Sequence, residues 1–158
     1  MTITVEALTG SERMAPALPA LARLRITVFR EWPYLYEGTL DYEQDYLDHF
    51  SQAEGAVIVV ARDGSEIIGA ATAAPLGEHT KSFVPLFEAR GFDPARIFYC
   101  GESVLLPAYR GRGLGHAFFD EREAHARRIR PAGRTFTHAT FCGVVRPADH
   151  PMRPKSYV

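Results

Sequence analysis

The sequence predicts a mixed α/β domain in which helices flank one sheet, and three observations lead to this prediction. Apolar runs of strand length recur along the chain, for example at 56–61 and 97–106. Other stretches carry apolar residues at every third or fourth position, which is the spacing of an amphipathic helix. One apolar run continues through a glycine-rich turn, residues 107–115, directly into such a helical stretch.

The residue pattern of the first half of the chain predicts one strand, two helices and a hairpin. The expected elements are a strand at 3–8, helices at about 15–31 and 41–50, and strands at 56–61 and 66–74. Asp63-Gly64 lies between the last two strands, and such a pair is typical of a tight hairpin turn. A loop rich in aromatic residues, 32–38, separates the two helices.

The residue pattern of the second half predicts a short helical insertion at 83–92, a strand at 97–106, a helix at 113–129 and a strand at 135–145. On the long helix, Glu121–His125 and Glu123–Arg127 have the i,i+4 spacing of outward acid-to-base pairs. Arg127, Arg128 and Arg130 lie at its C-terminal end, where the helix dipole favours positive charge.

Composition limits the class of protein. A chain of 158 residues with 46% hydrophobic and 23% charged residues is typical of one globular domain with its own core. A net charge of −1 argues against nucleic acid or an anionic membrane as the main partner. Since no apolar run has the length of a membrane span and the N-terminus lacks a signal sequence, we expect a cytoplasmic protein.

The cysteines and histidines give no sign of a metal site. Cys100 and Cys142 lie in separate apolar runs, so we expect buried, reduced thiols. The six histidines form no H-x-x-x-H pair.

The glycine turn has the features of an anion-binding site. Pro107 ends the strand before it, since proline cannot donate to a sheet. Gly111, Gly113 and Gly115 let the backbone approach a ligand, and the first turn of the following helix has unpaired N–H groups. A phosphate or pyrophosphate fits such a cradle. The alternative is a plain strand-to-helix connection whose glycines serve tight packing.

The spacing excludes two common phosphate-binding motifs. A phosphate loop of nucleoside triphosphatases ends in Gly-Lys-Ser/Thr, whereas His116 follows Gly115 here. A dinucleotide fingerprint reads G-x-G-x-x-G, whereas the order here is Gly111-x-Gly113-x-Gly115.

The order that is present, Arg-x-x-Gly-x-Gly at 110–115 after Leu-Leu-Pro, resembles motif A of the GNAT superfamily of acyl-CoA-dependent N-acyltransferases. The resemblance implies a mostly antiparallel sheet that is splayed at the cofactor site. It implies transfer of an acetyl group from acetyl-CoA to a primary amine of a small molecule or peptide. The coenzyme-binding residues that it implies are Val104, Leu105, Leu106, Arg110, Gly111, Arg112, Gly113, Leu114 and Gly115.

Glu102 is the candidate general base, because it is a carboxylate in an otherwise apolar strand and some GNAT proteins use a glutamate there. The alternative is a structural carboxylate paired with an arginine or with backbone amides. In this family the loop between the first two helices lines the acceptor site. That position corresponds here to Trp32, Tyr34, Tyr36 and Glu37, whose aromatic rings could instead anchor the loop on the core.

One departure from the family concerns the C-terminal end. GNAT proteins continue after the fifth strand with a helix, which carries a tyrosine general acid, and one or two strands. The sequence has no room for them, and Tyr157 lies too near the terminus to match that tyrosine. We therefore expect a single domain over 1–158 that is incomplete at its C-terminus, is completed by another chain, or folds differently there. An uncovered edge at the fifth strand favours a homodimer. A non-catalytic acyl-CoA-binding module is the alternative function.

Overall fold

The computed structural model describes residues 2–156, without the side chain of His79. Within that range the chain forms five strands and six α-helices. In chain order they are β1 (Ile3–Thr9), α1 (Ser11–Met14), α2 (Leu18–Phe29), α3 (Leu40–Ser51), β2 (Val57–Asp63), β3 (Glu66–Pro75), α4 (Leu76–His79), α5 (Val84–Glu88), β4 (Ile97–Leu105), α6 (Leu114–Arg128) and β5 (His138–Thr140).

The strands form one sheet in the order β1-β2-β3-β4-β5. Neighbours from β1 to β4 are antiparallel, and β5 is parallel to β4. The predicted mixed α/β class is therefore confirmed, as is the hairpin, in which Gly64 at φ 60° lies between β2 and β3. Within the described residues, no helix is both long enough and apolar enough to cross a membrane.

The sheet carries a separate apolar core on each face. Ile58 and Val60 of β2 point toward α2 and α3, where Leu21 and Leu47 are fully buried. Val57 and Val59 point to the opposite face, which α6 covers with Phe118. The continuous apolar run of β2 thus reflects burial on both faces.

A β-bulge interrupts β4 in its middle. Ala71 pairs with Ser103 but Ala73 pairs with Cys100, so Gly101 and Glu102 lie together opposite Thr72. A Cβ on Gly101 would lie 2.6 Å from Oγ1 of Thr72, so this close approach requires glycine. The bulge bends β4 and re-aims the residues that follow it.

The fifth strand is much shorter than the predicted strand at 135–145. β5 pairs with β4 only from Ile97↔His138 to Tyr99↔Thr140. After Thr140 the chain leaves β4, because the ring of Phe141 packs on Phe119 of α6 with centroids 5.7 Å apart. The sheet is therefore splayed between β4 and the chain after β5.

Two smaller sequence expectations are wrong. His125 does not point outward toward Glu121, because its face of α6 packs on the residues before β2. It is 4% exposed, and its Nε2 donates to the carbonyl oxygen of Gly55 (2.8 Å). Cys100 is a buried free thiol as expected, whereas Cys142 is exposed in the segment that diverges from the sheet.

Candidate active site

The first groove at this site lies along the glycine turn and is here named the glycine-turn groove. Its volume is about 530 Å³. It is lined by Ser103, Leu105, Arg110, Gly111, Gly113, Leu114, Gly115, His116 and Phe119. The groove follows the end of β4 and opens onto the first turn of α6.

The turn presents bare backbone to this groove. Gly111 and Gly113 have φ of 77° and 81°, a left-handed conformation that favours glycine. A Cβ added at Gly111, Gly113 or Gly115 would meet no atom within 4 Å, so the space beside all three is open. Gly113 is the N-cap of α6 and supplies no side-chain cap, and the first three N–H groups of a helix have no partner within it. An anion fits this arrangement.

The two arginines of the turn differ in position. Arg110 lines the groove, and its Nε donates to the carbonyl oxygen of Leu105 (3.0 Å). Arg112 instead lies over the ring of Tyr109, 5.6 Å from the centroid, and donates to the carbonyl oxygen of Ala108. Arg110 is therefore the arginine of the turn whose charge lies at the groove.

The main chain of β4 supplies fewer free donors than the sequence analysis expects. Val104 is fully buried and pairs with Ala70 of β3, so neither its side chain nor its backbone is open to a ligand. The N–H of Leu106 donates to the carbonyl oxygen of Ile68 (3.0 Å), and its own carbonyl accepts from Tyr109. Leu106 thus has its backbone groups occupied within the protein.

A second groove lies under the loop between α2 and α3 and is here named the aromatic-loop groove. It encloses about 350 Å³ and is lined by Val28, Glu31, Trp32, Tyr34, Ser103, Leu105 and Arg110. Ser103, Leu105 and Arg110 line both grooves, so the two meet at the end of β4. Of the predicted acceptor contacts, the structure brings Trp32 and Tyr34 to this groove.

The other two predicted contacts lie elsewhere. Glu37 is exposed and does not line the groove. Tyr36 points inward, and its hydroxyl donates to Oε1 of Glu43 (3.0 Å). Burial, reinforced by this hydrogen bond to Glu43, raises the pKa of Tyr36 to about 12, so it remains a neutral donor at physiological pH.

A buried ionic cluster connects Tyr36 to the bulge. Arg25 forms ion pairs with both Glu43 and Glu102. Glu43 is fully buried, and the side chains of Arg25 and Glu102 are only 10% and 13% exposed. The guanidinium also lies 4.5 Å from the ring centroid of Tyr46. One guanidinium is thus shared by two carboxyl groups.

Glu102 is paired with an arginine, as the structural alternative requires, and its role as a general base stays a prediction. It also lines a cavity of about 70 Å³, together with Thr72, Tyr99 and Gly101, so there is room for a small group beside the carboxylate. A paired carboxylate with open space next to it can still accept a proton from a neighbouring molecule.

Sequence reasoning missed Arg25, Glu43 and Ser103. Arg25 stands in the apolar stripe of α2 between Leu21 and Phe29, and Glu43 stands in that of α3 four residues before Leu47. A charged residue in the buried stripe of a helix needs a partner, and this pattern could have identified the pair. Ser103 carries no such signal.

Comparison with known proteins gives a family match over most of the chain. A model of the Acetyltransferase (GNAT) family matches residues 21–141. The chain belongs to the GNAT acetyltransferase family. This GNAT protein is an N-acetyltransferase by family, and the match includes both grooves and the ionic cluster. No curated protein matches the sequence.

Solved structures share the fold. An aminoglycoside N-acetyltransferase, AAC(6')-Iy in complex with CoA, has a TM-score of 0.63 at 14% identity, over 90% of this chain and 78% of that chain. A ribosomal-protein-alanine N-acetyltransferase from Brucella melitensis biovar Abortus 2308 has a TM-score of 0.57 at 16% identity, over 89% and 80%. A possible acetyltransferase from Clostridium difficile 630 has 0.63 at 10%, over 95% and 84%. At these identities the similarity establishes the fold alone.

Proposed function

We propose that this GNAT protein transfers the acetyl group of acetyl-CoA to the nitrogen of a primary amine on a small molecule or peptide. The observation that carries this proposal is the junction of the two grooves at the end of β4, directly after the bulge that holds Glu102. A donor in one groove and an acceptor in the other would meet there.

The glycine-turn groove would hold the coenzyme. Its pyrophosphate is an anion that matches the unpaired N–H groups at the start of α6 and the open space beside Gly111 and Gly113. Arg110 supplies positive charge next to it. The pantetheine arm would extend along the edge of β4 that β5 leaves uncovered after Tyr99. A backbone N–H near the bulge would polarise the thioester carbonyl.

The aromatic-loop groove would hold the acceptor. The carboxylate of Glu31, which lines this groove, would attract an ammonium group. Trp32 and Tyr34 offer apolar surface to the rest of the acceptor. Glu102 would take the proton that the amine must lose before it attacks, through water in the cavity that its carboxylate lines.

The first test is calorimetric titration of acetyl-CoA into the purified chain, followed by a screen of amines for acetyl transfer. We expect micromolar binding with one site per chain, and turnover with at least one class of amine. Absence of binding would contradict the proposal. Binding without turnover on any amine would favour the non-catalytic acyl-CoA-binding module.

Two further properties are inferred with this function. The free thiols Cys100 and Cys142 are consistent with a reducing compartment such as the cytoplasm. A homodimer through the outer edge of β5 follows from the edge-strand argument. Sedimentation equilibrium of the purified chain checks the second, and a monomer at all concentrations would refute it.

A further inference from the structure

Arg122 of α6 has an unusual environment. Its side chain is fully buried, and among residues 2–156 no carboxylate lies within ion-pair distance of it. Burial lowers the pKa of Arg122, although an arginine is not deprotonated in proteins. A buried charge without a counter-ion is costly, so its hydrogen bonds and the ring of Phe119, 4.3 Å from the guanidinium, must account for its position.

Two of the four hydrogen bonds of Arg122 hold the bulge of β4. Nη1 donates to the carbonyl oxygens of Thr72 (3.2 Å) and Glu102 (3.4 Å), at the point where the bulge disturbs the β3–β4 ladder. Nε donates to the carbonyl oxygen of Phe118 (3.2 Å). Arg122 therefore fixes the shape of the strand next to Glu102.

The fourth hydrogen bond of Arg122 reaches a side chain beyond the bulge. Nη2 donates to Oγ of Ser103 at 2.9 Å, which gives this buried donor an acceptor. Ser103 itself is exposed. Because the arginine occupies a lone pair of Oγ, the hydroxyl hydrogen of Ser103 remains free to donate elsewhere.

The position of Ser103 places its hydroxyl group beside the candidate ligand grooves. Ser103 lines both the glycine-turn groove and the aromatic-loop groove, where the two meet. It follows Glu102 on β4, so the two side chains point to opposite faces of the sheet. Glu102 reaches Arg25 on the α2 face, and Ser103 reaches Arg122 on the α6 face, which carries the glycine-turn groove.

We infer that Ser103 is a catalytic residue whose hydroxyl donates a hydrogen bond to the coenzyme sulfur as it leaves, and that Arg122 is the positioning residue behind it. This inference rests on the proposed function. The guanidinium polarises the hydroxyl and orients it, and a hydrogen bond to an anion is stronger than one between neutral groups.

The transfer step balances with the groups present. The amine nitrogen forms a bond to the acetyl carbonyl carbon, and the C–S bond then breaks with its electron pair remaining on sulfur. Glu102 first takes one proton from the bound ammonium and releases it to solvent, and it then takes the second proton, which the nitrogen loses as the amide forms. Ser103 keeps its own proton and stabilises the thiolate by hydrogen bonding, and the thiolate later takes a proton from solvent.

The test measures the pKa of the thiol of bound CoA from its thiolate absorbance, in the wild type, Ser103→Ala and Ser103→Thr. We expect Ser103→Ala to raise this pKa by about one pH unit and Ser103→Thr to leave it near the wild-type value. In steady-state kinetics Ser103→Ala should lower kcat about tenfold without a change in KM for acetyl-CoA. These variants carry the test because removal of Arg122 would also disrupt the bulge.

The outcomes separate the two proposals. An unchanged thiol pKa in Ser103→Ala, in a protein whose wild type binds CoA and acetylates an amine, would overturn the role of Ser103 alone. Failure of the wild type to bind CoA would overturn the proposed function and this inference with it. A raised thiol pKa in Ser103→Ala that Ser103→Thr restores would establish the hydrogen bond.

Discussion

The two sides of the candidate site are built in different ways. The glycine-turn groove comes from one continuous stretch, 103–119, in which the end of β4, the turn and the start of α6 follow one another. The opposite side is assembled from α2, α3 and the bulge, which are distant in sequence and are joined by Arg25. The continuous side depends on backbone conformation, whereas the assembled side depends on a few buried charges.

The largest effect is expected when the assembled side loses its shared cation. Arg25→Met leaves Glu43 and Glu102 buried without a positive partner, which should lower the free energy of unfolding by about 3–5 kcal/mol. Urea denaturation measures this. Arg127→Met is the matched control, since its pair with Glu123 is exposed and should contribute under about 0.5 kcal/mol. Similar losses in both variants would show that the cluster is not the main support of this side.

A substitution in the continuous side should weaken coenzyme binding rather than folding. Gly113→Leu introduces a side chain into the groove at φ 81°, and we expect acetyl-CoA affinity to fall at least about a hundredfold, or about 2.7 kcal/mol. Calorimetry provides the measurement. Gly91→Leu is the control, because Gly91 also has φ 81° and open space around it but lies outside the grooves. If both variants lost affinity equally, backbone strain rather than the groove would be the cause.

Removal of the charge of Glu102 should affect turnover and spare coenzyme binding. Glu102→Gln should lower kcat at neutral pH about a hundredfold, which is the lower end for loss of a general base. Affinity for acetyl-CoA should stay within about twofold, since the glycine turn is untouched. Glu123→Gln on the exposed face of α6 serves as the control. A pH–rate profile identical to the wild type would remove Glu102 from the mechanism.

The smallest effect concerns His125, which lies outside both grooves. Burial lowers its pKa in the folded protein, and nearby Arg128 adds to this, against the hydrogen bond to Gly55. The unfolded chain therefore binds the proton first as pH falls below about 6.5. We expect the free energy of unfolding to decrease between pH 7 and pH 5, and less so in His125→Gln. Equal pH dependence in both proteins would contradict this.

Sequence patterns predict the features that neighbouring residues determine, and they miss contacts between side chains on different elements of the fold. The element order, the hairpin and the glycine turn depend on neighbouring residues, so their patterns are visible in the sequence. Tyr36 looked like an acceptor contact because it lies in the loop, but its hydroxyl bonds to Glu43 seven residues later. The pairing of Arg25 with Glu102 depends on how α2 crosses β4, which no local pattern encodes. β5 was predicted too long because apolar residues after Thr140 pack on α6 instead of the sheet.

The loop between α2 and α3 is held by a segment that is made much later. Arg146 donates to the carbonyl oxygens of Pro33 (2.8 Å) and Tyr34 (2.9 Å), and the ring of His150 lies 5.1 Å from that of Trp32. The first of these bonds joins residues 113 positions apart. During synthesis on the ribosome, the glycine turn can form as soon as α6 emerges, whereas the loop gains these contacts only after residue 150. Closing so long a loop also costs chain entropy. We therefore expect the aromatic-loop groove to be the last part of this protein to mature.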